Sequence, residues 1–145
     1  MNTLKLIGFT ALLGIVFMTL VGYTVAGADT TNLKLEGVTW VLKSYGDEGN
    51  LTQVLPDKAV TLIFYKEDKS VGGNSGVNSY GGDYAIEGST ITISNLIMTL
   101  MAGPELLMRQ EAKFIVILQS AQSYHIEGQR LTIIGAEGRL VFTQK

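Results

Sequence analysis

Few side chains in this sequence could carry chemistry, and they are thinly spread. His125 is the only imidazole. A Ser-His-Asp triad would have to run through it. It stands between Tyr124 and Ile126 in an alternating stretch, so it points away from both and toward solvent. One imidazole cannot form a histidine metal site, and the spaced acids of a calcium loop are missing. Cys is absent. That removes cysteine nucleophiles, zinc–thiolate sites, iron–sulfur clusters and disulfides. Val71 to Tyr84 contains five glycines. A phosphate loop needs GxxxxGK[ST] leading into a helix. Here no Lys follows and the flanks read as strands, so the glycines imply bulges and sharp bends.

Glu111 is the residue of most interest. It falls four residues after Leu107 and three before Phe114, on the apolar face of a helical stretch. A carboxylate there must be hydrogen-bonded, or its pKa must rise. It could act as a general acid or ligand contact. The favoured reading is a structural pin, accepting hydrogen bonds from groups near Thr99 to Gly103. Asn78, Tyr80 and Tyr84 are candidates to line a small cleft beside it. No nucleophile–base pair emerges, and the expectation is a protein that is not an enzyme and uses no cofactor or metal.

The elements that must position these residues are mostly strands. A ten-residue pattern occurs twice, at Tyr84–Ile93 and Tyr124–Ile133. Each copy reads as strand, tight turn at Glu-Gly, strand. Tyr, Ile, Thr and Leu alternate as a half-buried surface requires, and Gly supplies the positive φ of a short hairpin turn. Leu35 to Tyr45 reads as a first strand anchored by Trp40. Gly46 to Asp57 reads as a polar loop; its Asn50-Leu51-Thr52 sequon carries no weight. Val60 to Tyr65 is a second strand and Lys66 to Lys69 a charged turn. Pro104 opens the one helix, to Ala121, suiting its first turn. Leu107, Phe114, Leu118 and Ala121 share the apolar face, with Met108 and Ile117 at its margins; Arg109, Gln110, Lys113 and Gln119 are expected outside. Leu140 to Phe142 is the last strand. The expected class is α+β and mainly antiparallel β: a curved or barrel-like sheet of about eight strands with one packed helix.

The chain has 145 residues, enough for one domain, a net charge of -2 and no basic block, which argues against nucleic acid. Lys5 precedes an uncharged stretch from Leu6 to Ala28 that ends Ala26-Gly27-Ala28, a signal-peptidase form. Cleavage before Asp29 is the favoured reading. The stretch is also long enough for an uncleaved anchor, since about 20 residues cross a bilayer. Either way the expected location is extracytoplasmic: periplasmic, cell-surface or secreted. The expected organisation is a signal or anchor at 1–28, a linker at 29–34 and a domain at 35–145. Membrane contact is expected only through the N-terminal segment, if it is retained.

Three stretches then resemble one family: GGNSGVNSYGGDY, MTLMAGPELLMRQEAKFIVILQSAQSYHIEGQRLTI and GRLVF, with GVTWVLKSYG resembling its opening strand. They are similar to the META domain family, which includes heat-shock HslJ-like proteins. Matching positions include Asn78, Tyr80, Tyr84, Thr99, Met101 and Glu111. The family's Gly-Cys-Asn is Gly76-Val77-Asn78 here, and its Met-Ala-Cys-Pro is Met101-Ala102-Gly103-Pro104. Both cysteine positions are lost together, as an interacting pair would be. The resemblance implies a compact antiparallel sheet with one helix, in proteins often exported and linked with stress response, motility or secretion. It implies no catalytic mechanism. Two functions follow as expectations: an envelope protein acting through an unidentified protein partner, or a module binding a small apolar ligand on its curved sheet. A filled core with an exposed apolar patch favours the first, and a well-formed apolar pocket the second.

Overall fold

The computed structural model describes residues 34–145. The signal or anchor and most of the linker expected before that point lie outside the described residues. The elements are β1 (Thr39–Asp47), β2 (Asn50–Gln53), β3 (Thr61–Tyr65), β4 (Ser70–Asn74), β5 (Ser79–Glu87), β6 (Thr90–Met98), α1 (Glu105–Gln119), β7 (Ala121–Glu127), β8 (Arg130–Gly135) and β9 (Gly138–Gln144). All strand pairs are antiparallel, and β1 pairs with β9 as well as with β3. Eight strands thereby close into a barrel. The fold class is the expected one, mainly antiparallel β with a single helix.

Period-2 alternation builds the wall. Trp40 and Leu42 of β1, Leu62 and Phe64 of β3, Leu131 and Ile133 of β8, and Leu140 and Phe142 of β9 all point inward and are buried. Their partners face them across the ladder: Trp40 opposite Leu62, Leu42 opposite Phe142, Leu131 opposite Phe142. Cross-strand apolar pairs of this kind fix register, because a one-residue slip would expose the whole set. Trp40 also donates its indole N–H to the Leu35 carbonyl at 2.9 Å. The two repeats form equivalent hairpins. Tyr84 faces Ile93 and Ile86 faces Ile91 in one; Tyr124 faces Ile133 and Ile126 faces Leu131 in the other. Gly88 and Gly128 take φ of 61° and 56° at the turns, as a two-residue hairpin loop requires.

The barrel is filled, and α1 closes one end. That is the end where β4, β6 and β8 finish and β5, β7 and β9 begin. Phe114, Ile117 and Leu118 enter the core from the helix. Phe114 meets Tyr80 and Phe142 edge-on, with ring centroids 5.5 and 6.5 Å away. The other end is an open mouth, where the described chain starts and where it finishes: Lys34 lines it, and the Lys145 N–H reaches the Thr39 carbonyl.

Four local expectations need correction. The polar loop Gly46 to Asp57 contains β2, which pairs with the end of β1. All four of its residues are exposed, so no alternation could reveal it. The glycine-rich span is mostly regular: β4 and β5 pair without interruption from Asn74–Ser79 to Ser70–Asp83. Its one register shift lies between Gly81 and Asp83, against β6. Gly73 serves close approach instead, because a Cβ there would lie 2.1 Å from the Thr61 carbonyl oxygen. Gln110 is buried at 1% exposure, not on the outer face. Its Oε1 accepts from the Leu55 N–H at 2.8 Å, tying the β2–β3 connection to the helix. Finally, Pro104 caps α1 from outside its first turn, and Ala121 belongs to β7.

Candidate functional site

The helix end holds the densest polar cluster of the described residues. β4 and β5 are joined by a tight loop at positions 75–78, closed by the Ser75 N–H donating to the Asn78 carbonyl at 2.8 Å. This loop turns its donors inward, onto α1. Glu111, only 3% exposed, receives four of them. Its Oε2 accepts from the Ser75 hydroxyl at 2.6 Å, the Asn78 N–H at 2.8 Å and the Val77 N–H at 3.2 Å. Its Oε1 accepts from Asn78 Nδ2 at 2.7 Å. Burial alone would raise the pKa of this carboxyl. The donors from Ser75, Asn78 and Val77 outweigh it and hold the group below the usual carboxylate range.

Asn78 passes the constraint onward. Its Oδ1 accepts from the Thr99 hydroxyl at 2.8 Å and the Met101 N–H at 2.7 Å, and its Nδ2 reaches the Met101 carbonyl at 3.2 Å. Thr99 Oγ1 in turn accepts from the Ser79 N–H at 3.2 Å. Glu111 therefore does not bind the 99–103 connector directly, as its sequence position suggested. It grips the β4–β5 loop, and Asn78 grips the connector. Sequence reasoning missed Ser75, whose only signal was a small polar residue inside a glycine-rich run.

Tyr80 and Tyr84 do not line a cleft with Asn78. Tyr80 is a core residue beneath the site, donating its hydroxyl to the Thr61 carbonyl at 2.8 Å; burial pushes its pKa up. Tyr84 belongs to the mouth. Its hydroxyl donates to the Glu36 carboxylate, which also accepts from Lys69 Nζ at 2.9 Å. These two bonds, Tyr84 first, lower the Glu36 pKa, while burial and then Glu36 raise that of Tyr84. His125 is half exposed, with Glu127 3.9 Å away. Among the described residues no three His, Cys, Asp or Glu side chains gather as a metal site would need.

Two concave surfaces flank these clusters. An apolar groove of about 550 Å³ runs between the β6–α1 connector and the helix, lined by Met98, Leu100, Met101, Met108, Ile115 and Val116. Leu100 is 92% exposed. The mouth is an open cleft of about 1260 Å³ with mixed lining, from Val38, Ile63 and Ile126 to Lys34, Lys66 and Lys69.

A closed eight-stranded antiparallel barrel, capped by one helix and pinned by a buried carboxylate, defines the class of protein: a small β-barrel domain. The chain belongs to the META domain family, whose model matches residues 32–145. Among solved structures, the NMR structure of a protein from Burkholderia xenovorans is similar at a TM-score of 0.67. It shares 20% identity, over 77% of this chain and 83% of that one. The crystal structure of a DUF4847 family protein from Bacteroides vulgatus is similar at 0.56, with 16% identity over 75% of this chain and 93% of that one. These likenesses concern the fold. No curated protein matches the chain.

The family's two cysteine positions now have coordinates. A Cβ placed on Gly103 would lie 3.5 Å from the Val77 Cβ and 2.9 Å from both its γ-carbons. Disulfides bridge Cβ atoms about 3.5–4.5 Å apart. The two replacements are complementary in volume: Val77 fills the space that a side chain at position 103 would need.

Proposed function

We propose that this is an exported, non-enzymatic META/HslJ-like envelope protein that acts through protein contacts, its working surface the groove between the 99–103 connector and α1. One observation carries the reading. The barrel core is filled, yet Leu100, Met101 and Val116 stand exposed together around an apolar groove. Large exposed apolar patches mark interaction sites, and methionines suit a surface that adapts to its partner. The Glu111–Asn78 network supports it, because Asn78, itself held by Glu111, makes three hydrogen bonds to the connector that carries Leu100 and Met101. Export rests on the segment ending at Ala28, and the link to stress on the resemblance to heat-shock HslJ-like proteins. The non-enzymatic part of the reading rests on His125, half exposed and with no hydroxyl hydrogen-bonded to it among the described residues.

The test is a photo-crosslinking residue at position 100 in cells, compared with one at position 125, on β7 and outside the groove. A discrete protein adduct at position 100 alone supports the reading, and equal labelling at both sites or none overturns it. The mouth favours a second reading, capture of a small apolar ligand, because barrel mouths commonly hold such sites. Mass spectrometry of what co-purifies with the protein separates the two.

A further inference from the structure

The groove is bordered at Met98 by the end of a strand edge. β6 pairs with β5 from Thr90 to Met98, but on its other side only Thr90 meets a strand residue, Ser123 of β7. That register puts the start of β7, Ala121, level with Thr92. From there to Met98 no described strand pairs with β6 on that side. α1 stands across the gap, presenting Met108, Ala112 and Ile115 to the groove.

A free edge offers backbone N–H and C=O groups at strand spacing, and extended backbone is what satisfies them. Proteins usually guard such edges with charged residues, Pro or a bulge. The β6 sequence TITISNLIM has no charge and no Pro. Its one guard is the bulge at Asn95, with φ 51°, beside the register shift against β5, which leaves Leu96 to Met98 as strand next to the groove. The groove is also electrically closed. Its single ionisable lining residue is Glu111, and both of that residue's oxygens are already taken. Side chains entering it must therefore be uncharged. In the form that keeps the anchor, the bilayer is not the occupant: about 20 Å of extended chain at most separates Ala28 from Lys34, which keeps the mouth, not the groove, at the membrane.

We infer that the groove takes an extended apolar peptide segment of a partner protein, added to β6 as an extra strand. Alternate side chains of that segment enter between Leu100 and Met101 on one side and Met108 and Ile115 on the other. The inference rests on the contact surface proposed above and gives its partner a chemistry.

The test pans the full chain, held in lipid nanodiscs, against a displayed library of random octapeptides. Peptides dependent on Leu100, losing at least tenfold in affinity with Leu100→Lys, are resynthesised with alternate amides N-methylated in either phase. The expected peptides carry apolar residues at every second position. They lose tenfold or more when one phase is methylated and little when the other is, and they slow amide exchange over Ser94 to Met98. Peptides with apolar residues three and four apart, insensitive to both phases, would overturn the added strand and leave the contact surface standing. Failure to find any Leu100-dependent peptide overturns both. A full chain that is dimeric and becomes monomeric with Leu100→Lys also overturns the inference, since a second copy is then the occupant.

Discussion

The two ends of the barrel are held by different means. At the helix end, a buried carboxylate collects donors from one loop, and Asn78 relays the constraint to the next. At the mouth, Glu36 binds Tyr84 and Lys69, but Lys69 is mostly exposed and the pair borders open solvent. Packing could hold either end. The difference is that the helix end fixes irregular backbone, whose N–H groups have no ladder to join and need a side-chain acceptor. The mouth is made of strand ends and turns whose N–H groups find backbone acceptors, as the Gly37 N–H does at the Phe64 carbonyl at 3.0 Å. A polar network is thus concentrated where the chain departs from regular structure, and that is also where the exposed apolar groove lies.

The sharpest way to break this contrast is Glu111→Ala. It leaves the Ser75, Val77 and Asn78 donors buried, for an expected loss of about 3–4 kcal/mol in denaturant unfolding. Glu111→Gln keeps one acceptor and should cost less, about 2 kcal/mol. The pH dependence follows from the same bonds. The folded pKa of Glu111 lies below its unfolded value. Its stabilisation is therefore complete above the unfolded pKa and is lost as pH falls through the folded one. Acid unfolding of the parent should be steeper than that of Glu111→Gln. Unchanged melting in both variants would show that the network is not what holds the helix end.

Restoring cysteines at Val77 and Gly103 together should close a disulfide on oxidation and add about 3 kcal/mol, by the loop-closure argument. Gly103→Ala alone should instead lose about 1–3 kcal/mol by overpacking against Val77. Thermal melting with and without reductant reads both. At the mouth, Tyr84→Phe deletes one partly exposed hydrogen bond to Glu36, and a loss of about 1 kcal/mol is expected. Tyr84→Phe costing as much as Glu111→Ala would erase the contrast between the ends. Smallest of all is Leu100→Lys. A side chain this exposed should change stability by less than about 0.5 kcal/mol, so any loss of partner binding in that variant belongs to the groove itself.

Much of the barrel was written locally. Trp40, Leu62, Phe64, Leu131 and Phe142 sit at alternating positions, and the repeated Glu-Gly turns set two hairpins; both signals depend only on neighbours along the chain. Glu111 betrayed itself by a carboxylate on an apolar helix face, which physics obliges to find partners. Which partners was not legible. Ser75 and Asn78 lie more than thirty residues away in sequence, and nothing local distinguishes a donor-rich loop from any glycine-rich bend. Nor could the sequence place Tyr80 and Tyr84 apart. They lie four residues apart on one strand, and only closure of the barrel sends one hydroxyl to Thr61 and the other to Glu36. β2 was hidden because a fully exposed strand has no period. Local pattern thus determined most of the elements, the two repeat hairpins and the need for a pin. Tertiary structure alone decided what the pin holds, that positions 77 and 103 touch, and that β6 keeps a free edge beside the groove, because each depends on contacts between segments that meet only when the barrel closes.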